Sequence, residues 1–208
     1  MSLVWRHRTI AAGMGELIKL QTSEFPSYDW SRIVRLDYAA DATAMRDHVL
    51  EVIRVEPPSR GTSGFWFGMF DPIYEGEEHA TRGIYLAGSQ RFEPEQSVED
   101  WPVGPEYFPE HRYFRSRILE TFYSEDGHCD SAGLKKLASE FNYTFCLTYT
   151  GLWLHEMMTA TDPAQLLGGR DFRGVGFGFD SGDVITLGVI RSDGFQLFSP
   201  PEAGRPTP

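Results

Sequence analysis

The chain has 208 residues, of which 41% are hydrophobic, 14% aromatic and 24% charged, and its formal net charge is −11. A chain of this length and composition can bury a core of its own, so we expect it to fold without a disulfide or a structural metal. The acidic total argues against a nucleic-acid partner, because such binding depends on a basic face that neutralises phosphates.

Cysteine spacing and hydropathy argue against several further classes of protein. Cys129 and Cys146 have no CxxC or CxxH spacing, which argues against a zinc ribbon or a disulfide scaffold and favours a reducing cytoplasm. No apolar run approaches about 18 residues, and the N-terminus lacks the pattern of a signal peptide, so we expect no membrane span and a cytoplasmic location. Arginine outnumbers lysine 16 to 3, a bias typical of a GC-rich bacterial genome.

The first half of the chain gives one well-defined helix and three predicted strands. Residues 1–30 carry no clear period, and residues 32–38 alternate as in a half-buried strand. We expect Asp41 to cap a helix that ends before Pro57-Pro58. The patterns at 65–70 and 83–89 predict two strands, which are joined by the acidic loop Asp71–Arg82.

The middle of the chain combines a long loop with two predicted helices. Residues 90–108 have no period and are interpreted as a long loop. Pro109 suits the first turn of a helix that Gly127 would end. A further helix is predicted from Asp130 or Ser131 to Phe141.

The C-terminal part is predicted to be mostly strands. Residues 143–150 alternate between rings or leucine and small polar residues, as a strand with one buried face would. Three shorter strands follow as a meander, and the proline-rich tail is expected to be disordered. Their predicted ranges are 174–179, 184–190 and 195–198, with the tail at 199–208.

These elements predict an α+β fold. A mainly antiparallel sheet would carry about three helices packed on one face, because no helix is predicted between strands in the last 65 residues. We predict a single α+β domain over residues 1–198, followed by the disordered tail at 199–208. The sequence does not predict an oligomeric state.

Alternating glycines occupy one strand of this fold. Gly174, Gly176 and Gly178 resemble part of a dinucleotide fingerprint, but a strand rather than a helix follows them. We therefore expect the three glycines to leave one strand face bare, so that a ring or a helix can approach the backbone.

Catalytic and metal-binding motifs give no support for a cofactor. His155-Glu156 lacks the partner spacing of a zinc helix, and His128-Cys129-Asp130 are adjacent residues, which rarely converge on one ion. Cys146 is expected to be a buried, inert thiol. We accordingly predict no metal and no cofactor.

Charge is distributed unevenly along the chain. Ten of the 30 acidic residues lie between Asp71 and Glu110, with only Arg82 and Arg91 as basic residues among them, which gives −8 for this stretch. A basic cluster of His111, Arg112, Arg115 and Arg117 follows directly. Trp, Tyr, Phe and Arg are also the residue types enriched at interface centres. The candidate binding residues are Trp101, Tyr107, Phe108, His111, Arg112, Tyr113 and Arg115, together with Glu75, Glu77 and Glu78 of the acidic loop.

Two hypotheses about function follow from this distribution. The first is a non-enzymatic module, similar in its physics to an inhibitor or immunity protein, that docks onto a basic protein partner. The second is a hydrolase or small-molecule-binding enzyme that holds an anionic ligand at His111, Arg112 and Arg115. The two arginines would then share a helix face and grip the ligand together.

Overall fold

The computed structural model describes residues 2–94, 101–180, 182 and 184–198. The tail expected to be disordered and part of the loop at 90–108 lie outside these residues. The helices are α1 (Ser2–Arg6), α2 (Ile10–Glu24), α3 (Ser31–Val34), α4 (Tyr38–Val55), α5 (Arg117–Ser131), α6 (Lys135–Ser139), a π-helix (Glu140–Phe145), α7 (Cys146–Ala160) and α8 (Pro163–Leu167). The strands are β1 (Gly64–Phe70), β2 (Gly83–Ser89), β3 (Tyr113–Arg115), β4 (Phe172–Phe179), β5 (Ile185–Arg191) and β6 (Gly194–Leu197).

The six strands form one mixed sheet in the order β3-β2-β1-β4-β5-β6. β1 and β4 run parallel, and the other neighbouring pairs are antiparallel. The α+β class is therefore confirmed. The detail of about three helices is wrong, because segments interpreted as strands or left unassigned are helical.

The two faces of the sheet are covered differently. On the inner face, strand residues such as Phe67 and Phe177 pack with side chains of the helices in one large apolar cluster. On the outer face, a smaller cluster consists of strand residues together with Phe92 and Trp101 from the loop after β2. The helices thus cover one face, and rings from a loop cover the other.

The strand predicted over 143–150 is wrong, because these residues form the end of the π-helix and the start of α7. Every residue from Cys146 to Leu154 is buried. A helix that is buried all round has no polar stripe, so its hydrophobic pattern loses the 3.6-residue period that would reveal it. Residues 152–158, which were ambiguous in the sequence, continue the same helix.

Other boundaries also differ from the predictions. The strand at 32–38 is wrong, because α3 and the first residue of α4 lie there. Asp37, whose carboxylate accepts from the amide of Ala40, caps α4 instead of Asp41. The helix expected from Pro109 begins only at Arg117, after β3, and Ser116 caps it.

The strand predictions at 65–70, 83–89, 174–179, 184–190 and 195–198 are confirmed to within a few residues. The glycine prediction is confirmed at two positions. A Cβ added to Gly174 would meet the ring of Phe92, and one added to Gly176 would meet Trp101. Among the described residues, none of the helices is both long and apolar enough to cross a membrane.

Candidate protein-binding surface

Trp101, predicted as an interface ring, lies inside the protein. Its side chain is only 2% exposed and rests on Gly64 and Gly176 of the outer face. The indole N–H donates to Thr186 Oγ1 at 3.0 Å, so its polar atom already has a partner. The prediction that Trp101 contributes to a binding surface is therefore wrong, because the bare glycine face gives the ring a site to fill.

Tyr107 anchors the loop before β3. It forms an isolated bridge with Gly88, and its hydroxyl donates to the backbone oxygen of Glu56 at 2.7 Å. Burial, together with the nearby Glu56 carboxylate, raises the pKa of Tyr107 to about 12. Its hydroxyl is therefore a structural donor that fixes the loop to the end of α4.

Phe108, Arg112 and Tyr113 form an exposed strip at the β3 edge of the sheet. Phe108 is 52% exposed and Tyr113 is 47% exposed. The Arg112 guanidinium lies 4.4 Å from the centroid of the Tyr113 ring and 5.7 Å from that of Phe108. It donates to Tyr113 Oη at 3.0 Å and to the oxygen of Pro109 at 3.0 Å. The arginine therefore holds both rings in place at the surface.

Tyr113 continues into a cluster of rings on the outer face. The ring centroids of Phe70, Tyr85 and Tyr113 lie between 5.3 and 6.1 Å apart. The Tyr85 hydroxyl donates to Asp180 Oδ1 at 2.6 Å, and burial with this carboxylate raises the pKa of Tyr85. Sequence reasoning missed Phe70 and Tyr85, although their alternation with core residues in the two predicted strands places them on the outer face.

Arg115 connects this strip to the acidic loop. Its Nη1 lies 2.7 Å from Glu77 Oε1, and its Nε lies 2.5 Å from Glu120 Oε1 in the first turn of α5. The guanidinium carbon also lies 4.5 Å from the centroid of the Tyr74 ring. The acidic loop is thus fastened to β3, next to Tyr113.

The basic cluster is arranged differently from what the second hypothesis expected. Arg112 and Arg115 do not share a helix face, because Arg115 lies in β3 and Arg112 directly precedes it. Both guanidinium groups already donate to acceptors of the chain. His111 has an exposed side chain, and its amide donates to Glu56 at 3.3 Å.

The acidic stretch is divided between two places. Glu75, Glu77 and Glu78 lie in the loop before β2, whereas Glu93 and Glu106 lie beyond its other end. The seven residues of β2 lie between the two groups, and a strand of that length spans about 20 Å at about 3.3 Å per residue. Glu75 and Glu78 are exposed and make no ion pair with any residue that the structure describes. Two parts of the stretch therefore offer carboxylates near this strip: the loop before β2, with Glu75 and Glu78, and the exposed Glu110, which lies between Phe108 and Arg112 in the chain.

Both thiols are buried, and the described residues contain no candidate metal centre. Burial raises the pKa of Cys129 to about 11 and that of Cys146 to about 12, so both thiols are protonated at neutral pH. Within residues 2–94, 101–180, 182 and 184–198, no three His, Cys, Asp or Glu side chains are grouped so that they could hold a metal ion.

Comparison with known proteins gives no further guide. No family model matches the chain, and neither a curated protein nor a solved structure shows significant similarity to it.

Proposed function

We propose that this protein is a non-enzymatic binding module that docks onto a basic protein partner. The contact surface consists of Phe108, Arg112 and Tyr113, with Glu75 and Glu78 of the acidic loop beside them. One observation carries the proposal: two large rings stay exposed around an arginine that holds them in place, and this strip adjoins carboxylates that form no ion pair with the described residues.

The two parts of this surface have different roles in binding. Exposed rings held rigid by a stacked arginine lose little conformational entropy on docking, which favours slow dissociation. Carboxylates that lack an ion pair attract a basic partner over a distance and accelerate encounter, and salt weakens this effect. Inhibitors and immunity proteins use the same division, and the proposal places this chain in their physical class.

The test uses separate variants to remove the exposed rings and the carboxylates of the acidic loop. The immobilised protein is incubated with a bacterial lysate at low and at high salt, and basic proteins retained only at low salt are identified. In the variant F108S/Y113S we expect recovery of such a protein to fall at least tenfold, as loss of central rings does at other interfaces. In E75K/E78K we expect the association rate of the purified pair to fall and to become less dependent on salt.

A matched control separates local charge from total charge. The variant E93K/D193K changes the net charge by the same amount at exposed positions outside the acidic loop, and we expect it to bind nearly as the wild type does. Equal recovery by F108S/Y113S and the wild type would overturn the role of the rings. Equal association rates for the two charge-reversed variants would remove the acidic loop from the surface.

A further inference from the structure

Arg115 sits in an arrangement that resembles a receptor for an arginine side chain. Glu77 and Glu120 each accept a hydrogen bond from a different nitrogen of its guanidinium, and the Tyr74 ring covers one side. Hydrogen bonds to both carboxylates raise the pKa of Arg115, and the effect of Glu120 is larger than that of Glu77. The three groups come from the acidic loop and from α5, so they surround the guanidinium from separate elements.

These contacts suit guanidinium better than ammonium. A guanidinium group is planar and presents several N–H donors in a fixed plane, so it can bond two carboxylates while its face stacks on a ring. A lysine ammonium is a compact, strongly hydrated charge and cannot combine these contacts in the same way. The arrangement therefore discriminates between the two basic side chains.

Contacts that do not involve Arg115 hold the Tyr74 ring and the base of the acidic loop in place. The Tyr74 hydroxyl lies against Gly83, where an added Cβ would be only 2.7 Å away, so the sheet positions the ring. Arg82 Nε bonds Asp71 Oδ1 at 2.7 Å, and the amide of Thr81 bonds the oxygen of Pro72 at 2.9 Å, which together close the base of the loop. Removal of the arginine would thus leave the Tyr74 ring in place and Glu120 in the first turn of α5, and the loop that carries Glu77 would stay closed at its base.

The Arg115 side chain can leave this site at low cost. It is 49% exposed, and ion pairs at that exposure are weakened by water and salt. Tyr113, on the same face of β3 two residues away, belongs to the proposed contact surface. A partner docked on Tyr113 would therefore reach the guanidinium position.

We propose that Tyr74, Glu77 and Glu120 form an arginine-binding site, which Arg115 fills in the free protein and which an arginine of the basic partner occupies on docking. The identity of this occupant rests on the proposed function, but the site can be tested without the partner. Arg115 acts as an internal competitor, so the apparent affinity for an added arginine is reduced by the fraction of molecules in which the site is open.

The experiment empties the site and supplies an arginine from solution. Backbone amide shifts of the full-length variant R115A are followed by NMR during titration with N-acetyl-arginine amide and, separately, with N-acetyl-lysine amide. We expect saturable shifts centred on Tyr74 and Glu77, with an affinity for the arginine amide about tenfold or more above that of the wild type. The lysine amide is expected to bind several-fold more weakly to R115A.

Two further variants make the outcome specific. Arg117 is exposed and lies two residues from Arg115, so R117A changes the charge equally but leaves the site filled, and we expect it to behave as the wild type. The double variant R115A/E120Q should lose the binding gained by R115A. Failure of R115A to bind the arginine amide, or equal affinities for the two amides, would overturn the site, while the capture test with F108S/Y113S would still decide the proposed function.

Discussion

Two glycines of β4 leave space for the aromatic rings that cover the outer face of the sheet. A Cβ on Gly174 would lie 2.4 Å from the Phe92 ring, and one on Gly176 would lie 2.6 Å from Trp101. The alternation of glycines was sufficient to predict a bare strand face. It could not identify the rings that cover this face, because they come from a loop whose path depends on the folded sheet.

This close approach makes Gly176 intolerant of a side chain. In Gly176→Ala, the methyl group would overlap the Trp101 ring, which cannot move freely because its indole N–H is bonded to Thr186. We expect the free energy of unfolding, measured in urea, to fall by about 1–3 kcal/mol, as in other overpacked cores. Gly15→Ala is the control, because Gly15 lies in α2 and a methyl group there would meet no described atom within 4 Å. We expect this helical change to raise stability by about 0.5–1 kcal/mol, and a similar loss in both variants would contradict the argument.

At the scale of elements, helices and strands were predicted correctly where one of their faces is exposed or where turn residues such as glycine and aspartate bound them. The strands of the C-terminal meander are bounded by glycine and aspartate turns, and α4 shows a clear apolar stripe of Met45, Val49, Val52 and Ile53. Prediction failed for α7, where burial on all sides hides the helical period. It also failed at β3, because three residues are too few to show a period and their pairing with β2 is set by distant contacts.

Asp41 is a second feature of this scale, since its carboxylate joins three helices. It lies in α4 and accepts from Ser116 Oγ at 2.6 Å, from the amide of Arg117 at 2.7 Å and from Tyr149 Oη in α7 at 2.7 Å. Burial and the Asp41 carboxylate raise the pKa of Tyr149, so the phenol remains a donor. The residue predicted to cap one helix instead connects α4 to α5 and α7.

Asp41→Ala would leave these donors without their acceptor. We expect the free energy of unfolding to fall by about 2–4 kcal/mol, because buried donors that lose an acceptor retain the cost of their desolvation. Asp47→Ala on the same helix is the control, since its exposed carboxylate pairs only with the neighbouring Arg46 among the described residues. Chemical denaturation of both variants measures the difference, and a loss below about 1 kcal/mol in Asp41→Ala would show that the three helices are held mainly by apolar packing.

At the scale of the whole molecule, charge summed along the sequence misled because the fold separates it. The stretch from Asp71 to Glu110 carries −8, yet β2 runs through its middle, so that the acidic loop lies at one end of this strand and Glu93 and Glu106 lie beyond the other. A sum of charges along the chain does not show where each charge lies in space, and a strand of seven residues is long enough, at about 20 Å, to keep the charges on either side of it apart. The part of the candidate surface that sequence reasoning did anticipate, Phe108 to Tyr113 with the acidic loop, is close in space because Arg115 joins the two segments.

The prediction of a single domain over residues 1–198 can be tested with the two cysteines. Cys129 lies in α5 and Cys146 in α7, both belong to the inner apolar cluster, and both are fully buried. Because burial raises their pKa to about 11 and about 12, neither thiol should react with a disulfide reagent at pH near 8 while the protein is folded. If the chain unfolds as one cooperative unit, both thiols become reactive in the same urea transition.

The measurement uses the variants Cys129→Ala and Cys146→Ala, each of which leaves one thiol. The labelled fraction after a short pulse of reagent is compared at each urea concentration with tryptophan fluorescence. Ser131→Cys, at an exposed position near the end of α5, gives the rate for an accessible thiol. Coincident midpoints, after correction for the stability of each variant, would confirm one cooperative domain. Reaction of one thiol well below the fluorescence transition would instead mean that its helix opens separately, because a local opening exposes a buried group at lower free energy than global unfolding does.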